Sequence, residues 1–444
     1  MLIVGNGNII TRKGNEFIEN GAVVIDGHYI KEVGSTEAMR LKYPGEEFLD
    51  ARGGVIMPGL INTHNHIYSA FARGMAIKGY SATNFVEILE GLWWKLDRCL
   101  TQENNELSAY AVFLDSIKNG VTTTFDHHAS FFDIPGSLDS ISKPAREMGL
   151  RACFCYEVSD RDGETKRRQG IEENLRFIKA WNNDSSDMVR AMMGLHASFT
   201  VSDKTLQECL SEMPAGTGFH VHCAEGPADV ELCIKEHGKR VIERFYDMGV
   251  LGPHTLAVHC VHINEHEMDL LKETDSMVVH NPESNMNNAI GCGQVIKMFA
   301  KGLNLGLGTD GYTNDMFESY KVGSIIHRHV LQDPRVAYAE IPAMLFEGNR
   351  QIASRFFTQH PIGVIEPNAY ADIIVVDYDP LTPMNGDNCN SHIVFGFQGR
   401  CVTDTICNGK VLMRNRQIVV ADEAAIMQAC RESAAKLWKA INKE

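Results

Sequence analysis

The chain predicts an α/β fold: a TIM-like (β/α)8 barrel at residues 58–364, with a small β-sandwich domain formed by both chain ends, residues 1–57 and 365–444. Three observations carry this. Between about 58 and 364, short apolar strand candidates alternate with helical stretches, and such alternation implies a parallel sheet. Counting the run before His64, the strand candidates number eight, which suits closure into a barrel. The two chain ends share a texture that the middle lacks, with apolar and polar residues alternating between Gly- and Asn-containing turns. A doubly wound open sheet is the structural rival.

Taken in order, LIVGNGNIIT and GAVVIDGHYIKEVG read as strands of the N-terminal β-segment. The first barrel strand runs from Pro58-Gly59 into NTHNH, followed by GVTTTFD (120–126), RACFCYE (151–157) and RAMMGLHAS (190–198). The remaining four are TGFHVHCAE (217–225), TLAVHC (255–260), SMVVHN (276–281) and NLGLGTD (304–310). Helix-like stretches such as KRVIERFYDMG (239–249) lie between them. The β texture returns over 371–420, and the residues after 422 read as one amphipathic surface helix.

Composition narrows the function. Of 444 residues, 44% are hydrophobic and 22% charged, ordinary for a soluble globular enzyme. A formal net charge of −15 argues against nucleic-acid and anionic-membrane partners, both of which select for basic faces. Twelve cysteines are scattered without a CxxC pair, several inside apolar runs, and read as buried free thiols in a reducing compartment. With no signal-peptide pattern and no apolar stretch of roughly 20 residues, the expected location is cytoplasmic.

Most barrel strands finish in a residue with chemistry. The first ends in His64 and His66, which share a face at two-residue spacing, and the second runs into Asp126, His127 and His128. The fourth ends at His196; the fifth carries His220, His222 and Glu225. The sixth gives His259 and then His262, the seventh His280, and the eighth ends at Asp310. Barrel enzymes do their chemistry at the carboxyl ends of their strands. Any one of these histidines alone is more often structural; their shared placement overturns that. Imidazole and carboxylate donors suit Zn2+ or Fe2+, and a bound ion lowers the pKa of water to near 7. Glu225 could then pass a proton from water to substrate. The plainer reading makes it a surface carboxylate opening the next helix.

The motifs PGLINTHNH (58–66), FHVHCAE (219–225), AVHCVH (257–262), HNPESN (280–285) and LGTDG (307–311) closely resemble the amidohydrolase superfamily. Within it, they resemble the deaminase and chlorohydrolase branch that holds guanine, cytosine and S-adenosylhomocysteine deaminases and triazine chlorohydrolases. The run GVIEPNAYADIIVVD (363–377) resembles the family's return into its small β-domain, with Asn368 where glycine is usual. The resemblance implies that His64, His66, His222 and Asp310 ligate the metal. It makes His259 and Asp310 the residues that orient the attacking water, and Glu225 the proton shuttle. His196 would touch substrate, and His262 and His280 would stand behind the ligands. Trp93, Trp94 and Asp97, in NFVEILEGLWWKLDRCL (84–100), resemble a stretch that contacts the nucleoside or ring in related deaminases. A packed amphipathic helix is the alternative there. His128, in HHASFFD, is a further substrate-binding candidate. The doublet His127-His128 departs from the deaminase pattern and suits packing, pocket shaping or a second ion. Neither the third nor the fourth strand end offers a lysine that could bridge two metals, so one divalent ion is expected, zinc ahead of iron.

The expected reaction is hydrolytic deamination of an aminated, purine-like N-heterocycle with release of ammonia. The alternatives are a chlorohydrolase, a cyclic amide or ureide hydrolase using the same activated water, and a non-enzymatic scaffold on the same barrel. A small heterocyclic substrate is the expected partner, with a homodimer also in view.

Overall fold

The computed structural model describes residues 1–443. Its middle is mixed α/β and carries two parallel sheets. One has four strands in the order Leu60–Asn65, Val121–His128, Arg151–Tyr156 and Val189–Ala191. The other has five: Met193–Ala197, Phe219–Cys223, Leu256–His259, Met277–His280 and Asn304–Leu307. Helices such as Gln102–Lys118, Gly163–Trp181 and Val241–Met248 fall between successive strands. Nearly every strand residue is buried, as helices on the outside and a packed interior require, including polar ones such as Asn62, Thr122, Thr123 and Asp126.

The expected fourth strand is not one run. It divides at Met192 into Val189–Ala191, which pairs with Arg151–Tyr156, and Met193–Ala197, which pairs with Phe219–Cys223. The amide of Met192 donates to Phe154 O and that of Met193 to Gly218 O, both at 3.0 Å, so successive residues serve the two sheets. The neighbouring strands crowd here: a Cβ on Gly194 would stand 2.2 Å from Tyr156 O, which reserves the position for glycine. Two parallel bridges, Val158 to Leu195 and Asn65 to Asp310, join the edges of the sheets.

Strands from both chain ends make a single nine-stranded sheet. The link between the ends is direct: Ile373–Val376 pairs antiparallel with Val55–Pro58. The sheet branches at Leu2–Ile10, where residues 2–5 pair with Glu47–Asp50 and residues 8–9 with 55–56. Alternation then divides the side chains. Val4, Val23, Ile25, Ile56, Ile373 and Val375 form a core of their own, while Val55, Met57, Ile374 and Val376 join the main core beneath the helices. Asn368 takes φ +68°, the left-handed conformation that its place in the turn suggested.

The final helix, Glu423–Ile441, buries Cys430, Ser433, Leu437 and Ile441 at helical spacing. It lies on the helix Gln102–Lys118, where Ser433 Oγ accepts from Asn104, and Trp438 donates its indole N–H to Phe71 O at 2.6 Å. No helix among the described residues is long and apolar enough to cross a membrane.

A buried charge network sits where several parallel strands begin. Arg151 is fully enclosed; it donates to Asp187 O at 2.6 Å, pairs with Asp372 at 3.3 Å and stacks on Tyr370 at 3.9 Å. Asp187 in turn accepts from Tyr370 at 2.5 Å and pairs with Arg190.

Candidate metal centre

At the opposite, carboxyl ends of the strands the histidines converge. The His64 and His66 rings lie 4.7 Å apart centre to centre, and His222 stands 5.2 Å from His64 and 5.3 Å from His66. Hydrogen bonds fix how these rings are protonated. His66 Nδ1 lies 2.6 Å from His127 O, and His222 Nδ1 lies 2.8 Å from His196 O. A carbonyl only accepts, so both Nδ1 atoms carry hydrogen, and a metal could be met only through Nε2 of each ring, which is bare in that neutral tautomer. Those two Nε2 atoms face each other at 3.3 Å. His64 is anchored through Nδ1 to His220 at 2.8 Å, and its buried Nε2 has no partner.

Asp310 closes the group. Gly308 lets its strand end pass within contact of His64 and Asn281, where a Cβ would meet Asn281 Oδ1 at 2.5 Å. The amides of Thr309 and Asp310 then both donate to His64 O at 3.0 Å. Asp310 Oδ1 lies 3.3 Å from His66 Nε2, and its Oδ2 lies 3.5 Å from His259 Nε2. His259 Nδ1 is held by Asn285 Oδ1 at 2.8 Å, which turns a second buried, unpartnered Nε2 toward Asp310 and toward Glu225 Oε2 at 3.6 Å. Ala224, His259 and Asp310 all adopt left-handed φ values, +46°, +69° and +57°. That conformation costs a non-glycine residue roughly 1–2 kcal/mol, and such strain gathers where side chains must be aimed.

Burial pushes His64 and His222 well below the usual imidazole range, and neighbouring histidines push them further, so both are neutral donors. Burial lowers His259 too, although Asp310 pulls it back up. Burial alone would raise the Asp310 carboxyl, but His66 and His259 bring it below its ordinary value. Glu225 goes the other way, raised by burial and by Asp310 and Asp229. Ligand atoms of His64, His66 and Asp310 lie within 4.8 Å of one another, as do those of His64, His222 and His259, and of Glu225, His259 and Asp310. Neutral nitrogens with idle lone pairs around one carboxylate fit a divalent cation.

The cavity over this cluster has a volume of about 60 Å3. His66, His222, Glu225, His259 and Asp310 form its floor, and His196, Trp93, Trp94, Phe85, Tyr312 and Glu157 its walls. The stretch 84–100 is helical as expected, but with a π-turn at Leu89–Trp93 that leaves both tryptophans on the cavity. His196 reaches the cavity with Nδ1 held by Thr200 Oγ1 at 2.6 Å.

Two candidate substrate contacts lie behind the wall instead. Asp97 is 1% exposed and engaged by Arg161 at 2.5 Å, and His128 is fully buried against Ser130 Oγ at 3.0 Å. His127 donates its Nε2 toward Leu195 O and His220 O at 3.0 and 3.1 Å, while its buried Nδ1 has no hydrogen-bond partner and lies 3.5 Å from Glu157; its ligand atom lies within 4.8 Å of those of His66 and His222. His262 bonds Ile290 O at 2.7 Å, and His280 faces His327 at 3.1 Å. The sequence reading assigned no role to Glu157, which ends the third strand candidate and faces the cavity. The strand-end rule that found the histidines applied to it equally, but its ion partner Arg161 and neighbour His127 were not legible together. Burial, opposed by Arg161, raises its carboxyl to about 8.

The chain is 31% identical, over 99% of both sequences, to a 5'-deoxyadenosine deaminase of Methanosarcina barkeri. It is 29% identical to a 5-methylthioadenosine/S-adenosylhomocysteine deaminase of Syntrophomonas wolfei, over 98% of this chain and 99% of that one. The zinc-bound crystal structure of an adenosine deaminase from Xanthomonas campestris shares the fold, with a TM-score of 0.86, 21% identity and 98% of each chain covered. Residues 55–412, from the last N-terminal strand to the returning C-terminal sheet, match the amidohydrolase family, and with the relatives aligned end to end this chain belongs to that family.

Proposed function

We propose that this protein is a metal-dependent aminohydrolase that deaminates an aminated N-heterocycle and releases ammonia. The observation that carries the reading is the pair of bare Nε2 atoms of His66 and His222, 3.3 Å apart, beside the unpartnered Nε2 of His64 and the carboxylate of Asp310. His64, His66, His222 and Asp310 would hold one divalent ion. Zinc is preferred, with iron(II) compatible with the same donors. When bound, the ion would make water ionise near neutral pH. The names of the relatives, which include deaminases of adenosine derivatives, support a purine-like substrate.

The side chains divide the remaining work. Asp310 and His259, 3.5 Å apart, orient the attacking water against the carbon that bears the amino group. Glu225 stands 3.6 Å from His259 on the same floor, takes the water's proton and delivers it to the adjacent ring nitrogen. The proton of the newly bonded hydroxyl then passes to the amine, the carbon–nitrogen bond breaks as the carbonyl forms, and ammonia leaves. His196 borders the ring, and Trp93 and Trp94 stack against it. Buried walls exclude bulk water and strengthen each of these interactions.

We infer also that the two parallel sheets act as one closed eight-stranded barrel, spanning residues 58–364. The bridges at Val158–Leu195 and Asn65–Asp310 support this. The branch at Leu2–Ile10 and the separate core of the terminal sheet support a two-layered small domain built from residues 1–57 and 365–444.

The test is ammonia release from a panel of aminated purines, pyrimidines and pterins, using protein as purified, after chelation, and after zinc or iron(II) is restored. Activity should vanish on chelation and return with metal, and Glu225→Gln should lose about 10²–10⁴-fold in kcat with metal still bound. Near-normal turnover in metal-free protein, or in metal-loaded Glu225→Gln, would sink the reading.

A further inference from the structure

We propose that His127, Glu157 and His196 form a second divalent-cation site beside the first, filled after it and built without a bridging lysine. The site adds to the aminohydrolase reading, and its binding test does not depend on that reaction.

Three neighbouring strand ends leave lone pairs here that the protein does not use. His127 spends Nε2 on the carbonyls of Leu195 and His220, and its Nδ1 is buried without a hydrogen-bond partner. Glu157, with a side chain 4% exposed, has His127 Nδ1 at 3.5 Å and Arg161 Nη2 at 3.7 Å as its charged neighbours, both too far for a good hydrogen bond. His196 meets Thr200 Oγ1 through Nδ1 at 2.6 Å, and Ala197 O stands 3.1 Å from that hydroxyl to take its proton, which leaves His196 Nε2 free to ligate. Ligand atoms of Glu157, His196 and His222 lie within 4.8 Å of one another.

A zinc ion about 2.1 Å from each of two ligands holds them roughly 3–4 Å apart. The gap from His127 Nδ1 to Glu157 Oε2 is thus long for a hydrogen bond and suited to a shared ion. Two imidazoles and one carboxylate are a donor set that zinc takes with a position left open. His222 is not shared between the sites, because its Nδ1 is spent on His196 O and its single Nε2 belongs to the first ion.

The first ion prepares the second. His66 donates from Nδ1 to His127 O at 2.6 Å, and His222 to His196 O at 2.8 Å. The rings that the first ion fixes therefore fix the backbone of two ligands of the second site. Glu157 and His196 line the cavity over the centre, which gives an ion its way in. Arg161 opposes a cation beside Glu157, although Asp97 engages it at 2.5 Å. Its charge and that of the first ion make the second site the weaker one. Filled, the site would place a second Lewis acid on the cavity wall.

Equilibrium dialysis of metal-free protein against rising zinc, with bound metal counted by mass spectrometry, tests this. The wild type should take up two equivalents in two steps, the second at least about tenfold weaker than the first. Glu157→Gln, and His127→Gln, which keeps a donor for the two carbonyls, should each stop at one. Cobalt(II) in place of zinc should show the second step as added visible absorption that both variants lack. Melting temperature and the retained first equivalent show that the variants keep the fold. A wild type that saturates at one equivalent, or a second equivalent that persists unchanged in both variants as adventitious surface binding does, would overturn the proposal. Failure to take up any metal would overturn the aminohydrolase reading with it. A second equivalent that depends on Glu157 and His127, without ammonia release from any aminated heterocycle, would sustain the site and sink the deaminase reading instead.

Discussion

The two ends of the parallel strands bury polar groups equally deeply and treat them in opposite ways. Where the strands begin, Arg151, Asp187, Arg190, Tyr370 and Asp372 form a network in which each charge meets an opposite charge or a carbonyl. Where they finish, His64 Nε2 and His259 Nε2 have no partner, and His66 and His222 turn bare nitrogens on each other. Native interiors satisfy their polar groups, so a cluster that does not is a site held ready for something else. Burial of a charge or dipole therefore carries little functional information by itself; the unmade hydrogen bond carries it.

That contrast is broken most severely at the open end. His222→Leu should drop ammonia release to background and abolish metal binding. In metal-free protein its stability cost should stay below about 1.5 kcal/mol, the worth of the single neutral bond to His196 O. Asp372→Ala should do the reverse. It leaves Arg151 buried and uncompensated, at a cost of about 3–5 kcal/mol in denaturant unfolding, while molecules that remain folded keep their metal and their turnover. Equal stability costs at the two positions would erase the distinction. A smaller effect sharpens it: zinc at a hundredfold excess over its dissociation constant should stabilise the wild type by about 2.7 kcal/mol and His222→Leu not at all.

Much of the open end was legible in the sequence. Period-two spacing gave His64 and His66 one destination, the habit of parallel strands to end in working residues gathered the remaining candidates, and the resemblance of the motifs to the amidohydrolases picked His222, His259 and Asp310 from among them. What escaped depended on partners far along the chain. Asp97 reads as an acid on a pocket helix; only Arg161, 64 residues on, reveals that it is occupied. Arg151 opens an apolar strand and gives no hint of Asp372, 221 residues away. The division at Met192 is invisible because both halves are apolar, and the left-handed turns at Ala224, His259 and Asp310 lack the glycine that would announce them. Local periodicity places side chains on faces, whereas ion pairing and strain are set by tertiary neighbours.

Glu157 stands between the two regimes, near Arg161 and His127 but properly bonded to neither, and its titration tests which one it belongs to. Burial raises its carboxyl from the ordinary 4.5 to about 8, with Arg161 opposing and Asp97 assisting. Between those values the folded protein holds a proton that the unfolded chain has released, so stability falls as pH rises and the loss is complete above 8. Glu157→Gln has no such proton. From pH 6.5 to 8 the wild type should therefore lose about 1.5 kcal/mol relative to the variant, read from paired denaturant melts. A difference that stays flat across this window would mean that Arg161 keeps Glu157 ionised, and would move it from the unsatisfied end of the molecule to the class of Asp372.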